Sequence, residues 1–375
     1  MSVRVILSVT SDLVTDQRVH RAAQTLASND YDVIVVGRKL NNSKDVPDRK
    51  YQTQRFHLWF EKGPLFYASY NFRLFWFLLF SKADILLSND LDTLLPNFLV
   101  SKLKALPLVY DSHEYFTGVP ELEGRPITKN IWKKIEKFIL PSLKNAYTVN
   151  YSIAGLYSKE YGTTFHVIRN LPELSTENLP DRQTLRKQLS LPLDKKIIIL
   201  QGAGINIQRG AEEAVASMNH LDNVLLLIIG GGDVIPALKE TVQKQQLQDQ
   251  VQFVDKLPAS ELRLYTHAAD IGLSLDKDTN LNYRFSLPNK IFDYIHAGIP
   301  VLASNLPEVS KIILDYNVGL ICPSHDPKEI ATCIQRMLTD ENLQQTWKTS
   351  LKKAAEELNW NSEKSQLLSI FSHLV

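Results

Sequence analysis

The residues with the clearest capacity for chemistry are Lys290 and Asp293, which lie three positions apart. In a helix they would share one face, so that a cation able to bind phosphate would stand beside a carboxylate able to bind sugar hydroxyls. A lysine in a first helical turn is unfavourable unless an anion offsets it, because that turn carries the positive end of the helix dipole. The pair indicates a nucleotide-sugar site; the alternative is a solvated Lys and Asp on an exposed turn.

The elements that must position this pair are a strand, a loop and a helix. The apolar run 271–275 predicts the strand, Ser286 and Pro288 predict a helix start as N-cap and first-turn residue, and Gly298 predicts the helix end. A helix that follows a parallel strand directs its free N–H groups at the crevice above the sheet, where phosphates bind. We therefore expect residues 286–293 to lie at that crevice.

The stretch SLPNKIFDYIHAGIPV, residues 286–301, resembles the donor-binding segment of the family 4 (group 1) glycosyltransferases, where similar segments read S-x-P-x-K-x-x-E-x-x-x-x-G-x-P-V. The resemblance implies that Lys290 lies near the donor phosphates and that Asp293 replaces the glutamate that holds the ribose. Phe285 stands where the family has a second glutamate, which touches the transferred sugar, and this leaves the sugar open. The other donor-binding residues that we predict are Ser286, Leu287, Asn289, Gly232 and Asn282.

The loop GAGINIQRG, residues 202–210, follows the first predicted strand of the second half. Gly202 and Gly204 lack the third glycine of a dinucleotide fingerprint, which argues against an oxidoreductase. The better interpretation is a loop that brings Arg209 to the donor phosphates at the start of a helix. Phosphate binding would then depend on Arg209 and Lys290.

Polar clusters after two strands of the first half form a second candidate site. Asp90 and Asp92 follow one strand, and Asp111, His113 and Glu114 follow the next, which places them at the carboxyl edge of a parallel sheet. The D-x-D match to metal-dependent transferases is a weak one, and a cap for a helix starting at Thr93 is the better interpretation of Asp92. The resemblance places His113 near the transferred sugar; the alternative is a buried histidine bonded to a carbonyl.

Three further segments of the first half have two interpretations each. The segment D-x-R-V-x-R, which contains Asp16, Arg18 and Arg21, resembles the family's N-terminus, and its arginines either face an acceptor or cap the first helix turn. Asp16 and Arg18 are our acceptor-side candidates. The aromatic run 64–80 predicts either a helix that contacts a membrane interface or a core helix. The basic amphipathic run 129–143 is compatible with anionic lipid and also with an ordinary surface helix.

Length and composition favour two domains of ordinary size, since the chain has 375 residues and a formal charge of only +1. Residues 1–168 carry 21 Lys+Arg against 16 Asp+Glu, so the first half is the one expected to meet an anionic partner, scattered solvated charges being the alternative. We expect no nucleic-acid partner. Cys322 and Cys333 have no metal or redox spacing, and the N-terminal VRVILSV is too short for a signal sequence; both favour a cytoplasmic protein.

The alternation of apolar strands with helical runs predicts an α/β protein with two doubly wound, Rossmann-like domains. The resemblance implies that they form a GT-B fold and face each other across a cleft. We predict an acceptor-side domain over 1–170, a proline-containing linker over 171–195, a nucleotide-sugar-binding domain over 196–355, and a C-terminal helix over 356–375 that could return to the first domain.

Together these features predict a hexosyltransferase that acts with retention of configuration, as the resemblance implies, and uses His113, Arg209 and Lys290 as catalytic residues. Fixed cations and helix amides would stabilise the leaving diphosphate, so we expect neither a metal nor a cofactor. The predicted acceptor is a saccharide or lipid-linked oligosaccharide of surface polysaccharide synthesis, met at the inner face of the plasma membrane. Two alternatives stay open: a nucleotide-sugar 2-epimerase of the same fold, and a non-catalytic sugar-nucleotide-binding scaffold.

Overall fold

A computed structural model of the chain describes residues 2–174, 177 and 179–374. The chain divides into two compact units. The first comprises the described residues up to Asn170 together with those from Glu363 on, and the second runs from Leu171 to Ser362.

The first unit contains a parallel sheet in the order β3-β2-β1-β4-β5-β6-β7. All five residues of β4 and of β5 are buried, which is typical of a parallel sheet covered on both faces. Its elements are β1 (Arg4–Asp12), α1 (Gln17–Ala27), β2 (Asp32–Lys39), β3 (Gln52–His57), α2 (Gly63–Phe80), β4 (Ile85–Asn89), α3 (Leu91–Lys104), β5 (Leu108–Ser112), α4 (Pro126–Ile139), β6 (Asn145–Thr148), α5 (Tyr151–Tyr161) and β7 (His166–Val167).

The second unit contains a parallel sheet in the order β10-β9-β8-β11-β12-β13. Its core is built from the aliphatic runs of these strands and from the inner faces of the helices between them. Its elements are α6 (Arg182–Gln188), β8 (Lys196–Gly202), α7 (Ala211–Ser217), β9 (Val224–Gly230), α8 (Ile235–Lys244), β10 (Val251–Val254), α9 (Ala259–Ala268), β11 (Ile271–Ser274), α10 (Leu281–Arg284), α11 (Asn289–His296), β12 (Val301–Ser304), α12 (Pro307–Tyr316), β13 (Gly319–Cys322), α13 (Pro327–Thr339) and α14 (Glu341–Glu357).

Parts of the segment 171–195, which we predicted as a linker, belong to the core of the second unit. Leu171, Leu185 and Leu191 are buried there, which removes their side chains from water. A proline-containing stretch with little regular structure can therefore still be part of a domain.

The last helix, α15 (Trp360–Ser372), contributes its residues from Glu363 on to the first unit. Glu363 accepts a hydrogen bond from Arg169 Nε at 2.8 Å and lies 2.6 Å from Arg169 Nη2. Phe371 is fully buried and meets the ring of Tyr31 edge-on. An ion pair and an aromatic contact thus hold this helix against the first unit.

The predicted pair of doubly wound α/β domains is confirmed. None of the helices in the described part of the chain is both long enough and apolar enough to span a membrane.

Candidate functional site

The site in the second unit lies where the direction of strand order reverses. The connection from β8 leads to β9 on one side, whereas that from β11 leads to β12 on the other, and β8 and β11 are neighbours. A crevice opens at the carboxyl ends of such strands, and it is the usual ligand-binding position of an open α/β sheet. A cavity of about 340 Å³ lies there, lined by residues 200–206, Arg209, Leu262 and residues 288–290 with Asp293.

Arg209 and Lys290 are brought together at this cavity by one buried carboxylate, Asp276. Arg209 Nη1 donates to Asp276 Oδ1 at 3.0 Å, and Lys290 Nζ lies 3.2 Å from Asp276 Oδ2. Burial opposes ionisation of this carboxyl, but Lys290 and Arg209 together overcome it and hold the pKa of Asp276 below its usual range. The group therefore carries two positive charges and one negative charge at neutral pH.

Asp293 faces the same cavity from the next turn of α11. Its Oδ2 accepts from Gln201 Nε2 at 3.0 Å, and Gln201 Oε1 accepts in turn from Thr266 Oγ1 at 2.7 Å. Because Gln201 and Thr266 are buried, this chain of hydrogen bonds fixes the direction of the carboxylate. Lys290 and Asp293 both line this cavity, so the predicted side-by-side placement of the two side chains is present.

Two glycines allow the loops to approach one another this closely. Gly210 has φ = 78°, and a Cβ there would lie 2.2 Å from the carbonyl oxygen of Leu275. Gly230 has φ = 135°, and a Cβ there would lie 1.8 Å from the carbonyl oxygen of Gly202. Only glycine adopts such backbone angles readily and leaves room for the neighbouring backbone.

Of the other predicted donor-binding residues, one lines the cavity and four do not. Asn289 lines it, whereas Ser286, Leu287, Gly232 and Asn282 are not among its lining residues. Ser286 is not the helix cap that we predicted, since its hydroxyl donates to the carbonyl of Tyr283 and Pro288 holds the N-cap position of α11. Proline favours the extended backbone that an N-cap residue adopts, so Pro288 and not Ser286 precedes the first turn of α11.

Asp276, Gln201 and Thr266 were missed by sequence reasoning. Asp276 follows the short apolar strand β11, so its place at the carboxyl edge of a sheet was a usable signal. Nothing local in the sequence indicates that Gln201 and Thr266 meet, because their bond joins residues 65 positions apart.

The polar cluster of the first unit is centred on His113. Its Nδ1 lies 3.0 Å from Asp90 Oδ2, and its Nε2 lies 3.1 Å from Asp111 Oδ2. Burial disfavours a charged imidazole, but Asp90 and Asp111 outweigh it and raise the pKa of His113 well above its usual value. With a carboxylate at each ring nitrogen, His113 is a doubly donating imidazolium. The alternative of a histidine bonded to a carbonyl is not what the structure has, because each ring nitrogen faces a carboxylate. The position near the transferred sugar stays a prediction.

Arg18 and Asp111 form a buried ion pair. Arg18 Nε and Nη2 donate to the carboxylate at 2.9 and 2.6 Å, and Arg18 Nη1 donates to the carbonyl of Ile168 at 3.0 Å. The neighbouring Arg18 and His113 lower the pKa of Asp111 to about 2 in spite of its burial. Both side chains are therefore buried in the first unit and make these hydrogen bonds inside it.

The remaining acceptor-side candidates have varied positions. Asp16 caps α1 by accepting from the backbone N–H of Val19 at 3.0 Å. Glu114 is half-buried. Asp92 does not cap a helix that starts at Thr93, because α3 already begins at Leu91; it is buried, and burial followed by repulsion from Asp90 raises its pKa to about 7. Within the described residues, no group of three or more His, Cys, Asp or Glu side chains is arranged to hold a metal ion.

Residues 181–354 match the family model of the glycosyl transferases, group 1. The second unit belongs to the group 1 glycosyl transferases. The resemblance seen in the sequence is thereby confirmed, and the Arg209–Asp276–Lys290 cluster, Gln201 and Asp293 all lie inside this group 1 domain.

Relatives extend the similarity in two ways. The alpha-monoglucosyldiacylglycerol synthase of Streptococcus pneumoniae is 29% identical over 156 residues, which are 40% of this chain and 33% of that protein. The chain matches less than half of the length of these curated relatives. The sucrose-phosphate synthase of Thermosynechococcus elongatus has a TM-score of 0.80 at 19% identity over 99% of both chains, and Anabaena HepE in complex with UDP-glucose has 0.75 at 13% over 99% of both. At these identities the structures show the fold, which is GT-B.

Proposed function

We propose that this chain is a glycosyltransferase that takes a sugar from a nucleotide-sugar donor and transfers it to an acceptor. The observation that carries the proposal is the pair of cations, Arg209 and Lys290, beside Asp293 in a cavity at the switch point of a group 1 domain. The Anabaena HepE structure contains UDP-glucose, which supports a nucleotide sugar as the ligand of the corresponding fold.

In this proposal the second unit binds the donor and stabilises the leaving group. Arg209 and Lys290 donate hydrogen bonds to the diphosphate, on which negative charge develops as the bond to the sugar breaks. The first backbone N–H groups of α11 point in the same direction and add the positive end of the helix dipole. Asp293, held by Gln201, accepts hydrogen bonds from the ribose hydroxyls. Side chains and helix amides together supply this electrostatic stabilisation, and we propose that transfer requires no metal and proceeds with retention of configuration.

The acceptor is assigned to the first unit, where His113 supplies a fixed positive charge. As an imidazolium whose two N–H groups face Asp90 and Asp111, it has no free nitrogen to accept a proton, so we propose that it acts through its charge and not as a general base. Asp90, whose side chain is partly exposed, is the more accessible acidic partner of this cluster.

Turnover measured with purified protein tests the donor site. Thermal-shift screening against UDP, GDP, ADP and CMP and their sugar conjugates, with and without a chelator, identifies the nucleotide, since a ligand of the folded state raises the melting temperature. We expect Lys290→Ala and Arg209→Ala each to lower transfer by roughly a hundredfold, as expected for loss of a charge that stabilises the transition state. Lys311→Ala, on the exposed face of α12, is the matched control. Near-normal transfer in both site variants contradicts the proposal, and conversion of the nucleotide sugar without an acceptor indicates an epimerase instead.

We further propose that the acceptor is lipid-linked and is met at the inner face of a membrane. On α2, Phe66, Tyr70, Leu74 and Leu78 are buried, whereas Phe72, Trp76 and Phe80 are 64%, 43% and 79% exposed. The core interpretation therefore holds for one face of this helix, and the exposed face is the one that we propose to contact a membrane. Aromatic side chains on a protein surface favour the interface of a lipid bilayer.

Two observations support lipid as the partner of this face. The helix α4 contacts α2 through the rings of Trp132 and Tyr67 and exposes Lys134 and Lys137, whose charge complements anionic headgroups. The Streptococcus relative is named for a diacylglycerol product.

Flotation with vesicles of anionic phosphatidylglycerol tests the proposal. We expect the wild-type protein to float and the double variant Trp76→Ser, Phe80→Ser to remain largely soluble. Leu314→Ser, which changes an equally exposed apolar residue of the second unit, is the control; flotation of the double variant like wild type contradicts the proposal.

A further inference from the structure

Asp276 has no assigned role, although it is the most buried charged group beside the proposed donor cavity. It follows β11 at the carboxyl edge of the sheet and is only 1% exposed. One of its oxygens binds Arg209 and the other lies against Lys290, so a single carboxylate joins the loop before α7 to the first turn of α11. The hydroxyl of Ser274 lies 3.5 Å from the second oxygen.

The segment that carries Asp276 is fixed to the Arg209 loop by independent contacts. The backbone N–H of Lys277 donates to the carbonyl of Gln208 at 3.0 Å, and the Lys277 side chain pairs with Glu213. Gly210 packs directly on Leu275, as described above. The carboxylate therefore has a fixed position from which to hold the two cations.

The cations keep hydrogen-bonding capacity on the side away from Asp276. The side chains of Arg209 and Lys290 are 30% and 12% exposed and line the cavity, whereas Asp276 does not line it. Lys290 has three N–H donors and Arg209 has five, so each can bind Asp276 and still donate to a ligand. Arg209 Nε is buried and has no hydrogen-bond partner among the residues that the structure describes. The Arg209 guanidinium also stacks 4.4 Å from the ring centre of Tyr283, which fixes its plane.

Without the carboxylate the two cations would repel each other. Both side chains are long and flexible, so each would turn towards water and lose the common orientation. With the carboxylate the group has a net charge of +1 and is already assembled before a ligand arrives. Preorganised charges stabilise a developing anion more effectively than charges that must first be brought together.

We propose that Asp276 is a positioning residue that holds Arg209 and Lys290 together as a two-cation subsite for the diphosphate of the donor. The inference rests on the proposed donor site and adds the group that assembles it. Asp276 acts through the two cations and does not touch the substrate.

Inorganic pyrophosphate is the probe that tests this role, because it carries the diphosphate without a base or sugar. Its affinity is measured by calorimetry for wild type and Asp276→Asn. Asparagine cannot accept from both cations, since one of its terminal atoms is itself a donor, so we expect at least tenfold weaker pyrophosphate binding and a matching fall in kcat for transfer. Asp278→Asn is the control: Asp278 lies in the same loop, is about half exposed and has only a 3.9 Å contact with Arg284, so we expect no change.

The sign of the effect decides between positioning and simple repulsion of the ligand by Asp276. A carboxylate that only opposed the phosphates would make Asp276→Asn bind pyrophosphate more tightly, and tighter or unchanged binding overturns the proposal. Failure of the wild-type protein to bind pyrophosphate also overturns the proposal. In a Lys290→Ala background the substitution should weaken binding by a much smaller factor, because the assembly is already broken; a full additional tenfold loss would show that Asp276 acts elsewhere.

A second variant covers the case in which Asp276→Asn does not fold, which its melting temperature without ligand reveals. Asp276→Ala leaves a space that formate can enter, and we expect millimolar formate, but not chloride, to restore part of the pyrophosphate binding; no restoration counts against the proposal. Failure of the proposed function gives a different result. Pyrophosphate binding would then still depend on Asp276, while no sugar transfer would be found with any donor.

Discussion

The buried pair of Arg18 and Asp111 leads to a prediction that separates a structural role from an acceptor-binding role. Arg18→Met keeps an unbranched stem as far as the position of Nε but removes the guanidinium charge, and it leaves Asp111 buried with only His113 as a charged partner. Breaking one side of a buried ion pair typically costs about 3–5 kcal/mol. Because His113 continues to bind the carboxylate, we expect a loss near the lower limit, about 3 kcal/mol.

The pKa of Asp111 gives a second route to the magnitude. Its folded value of about 2, against 3.8 for the free side chain, corresponds to about 2 kcal/mol of stabilisation by its charged neighbours. A carboxyl with a lowered pKa contributes this stability above the unfolded pKa and loses it as the pH falls through the folded pKa. The difference between wild type and Arg18→Met should therefore be full at pH 7 and shrink between pH 4 and pH 2.

The melting temperature is measured by calorimetry. Amide hydrogen exchange of β5 reports whether the loss of stability lies in the first unit. For a unit of this size, a loss of about 3 kcal/mol lowers the melting temperature by roughly 6–12 °C. Arg4→Met is the matched control, since Arg4 pairs with Asp32 at 2.6 Å at a partly exposed site and such pairs are worth at most about 1 kcal/mol. An Arg18→Met protein that melts like wild type but loses transfer activity would refute the structural assignment and support a role in binding the acceptor.

Three further predictions follow from single positions. Asp92→Asn should raise the melting temperature at pH 8 and not at pH 4, because the pKa of about 7 means that wild type loses stability as pH rises from about 4 to 7, whereas asparagine cannot ionise; equal gains at both pH values would contradict this. Gly210→Ala should destabilise the second unit by at least about 2 kcal/mol in denaturant unfolding, since the new methyl group meets the carbonyl of Leu275 at a positive φ. Gln201→Met should weaken nucleoside diphosphate binding roughly tenfold in calorimetry by releasing Asp293, and unchanged affinity would show that the bond between them is not needed.

Local patterns in the sequence were enough to predict the order of elements and the donor segment. Runs of aliphatic residues separated by amphipathic segments specify strands and helices through the periods of their side chains, which involve only near neighbours. Lys290 and Asp293 share a helix, so their mutual placement follows from spacing alone. The same limit explains the error at Ser286, where two competing start signals lie two residues apart and only packing decides between them.

The tertiary structure decided which charges meet, and so what they do. Asp276 and Arg209 are 67 residues apart, and Arg18 and Asp111 are 93 apart, so no local spacing could indicate either pair. The sequence alone presents Arg18, at the first turn of a helix, and Arg209, in a loop, as two similar cations. Folding buries Arg18 against one carboxylate and leaves Arg209 partly exposed at a cavity with a second cation. The physical reason is that an ionised side chain takes its role from its burial and its partners, and both are set by the strands that lie next to each other in the sheet.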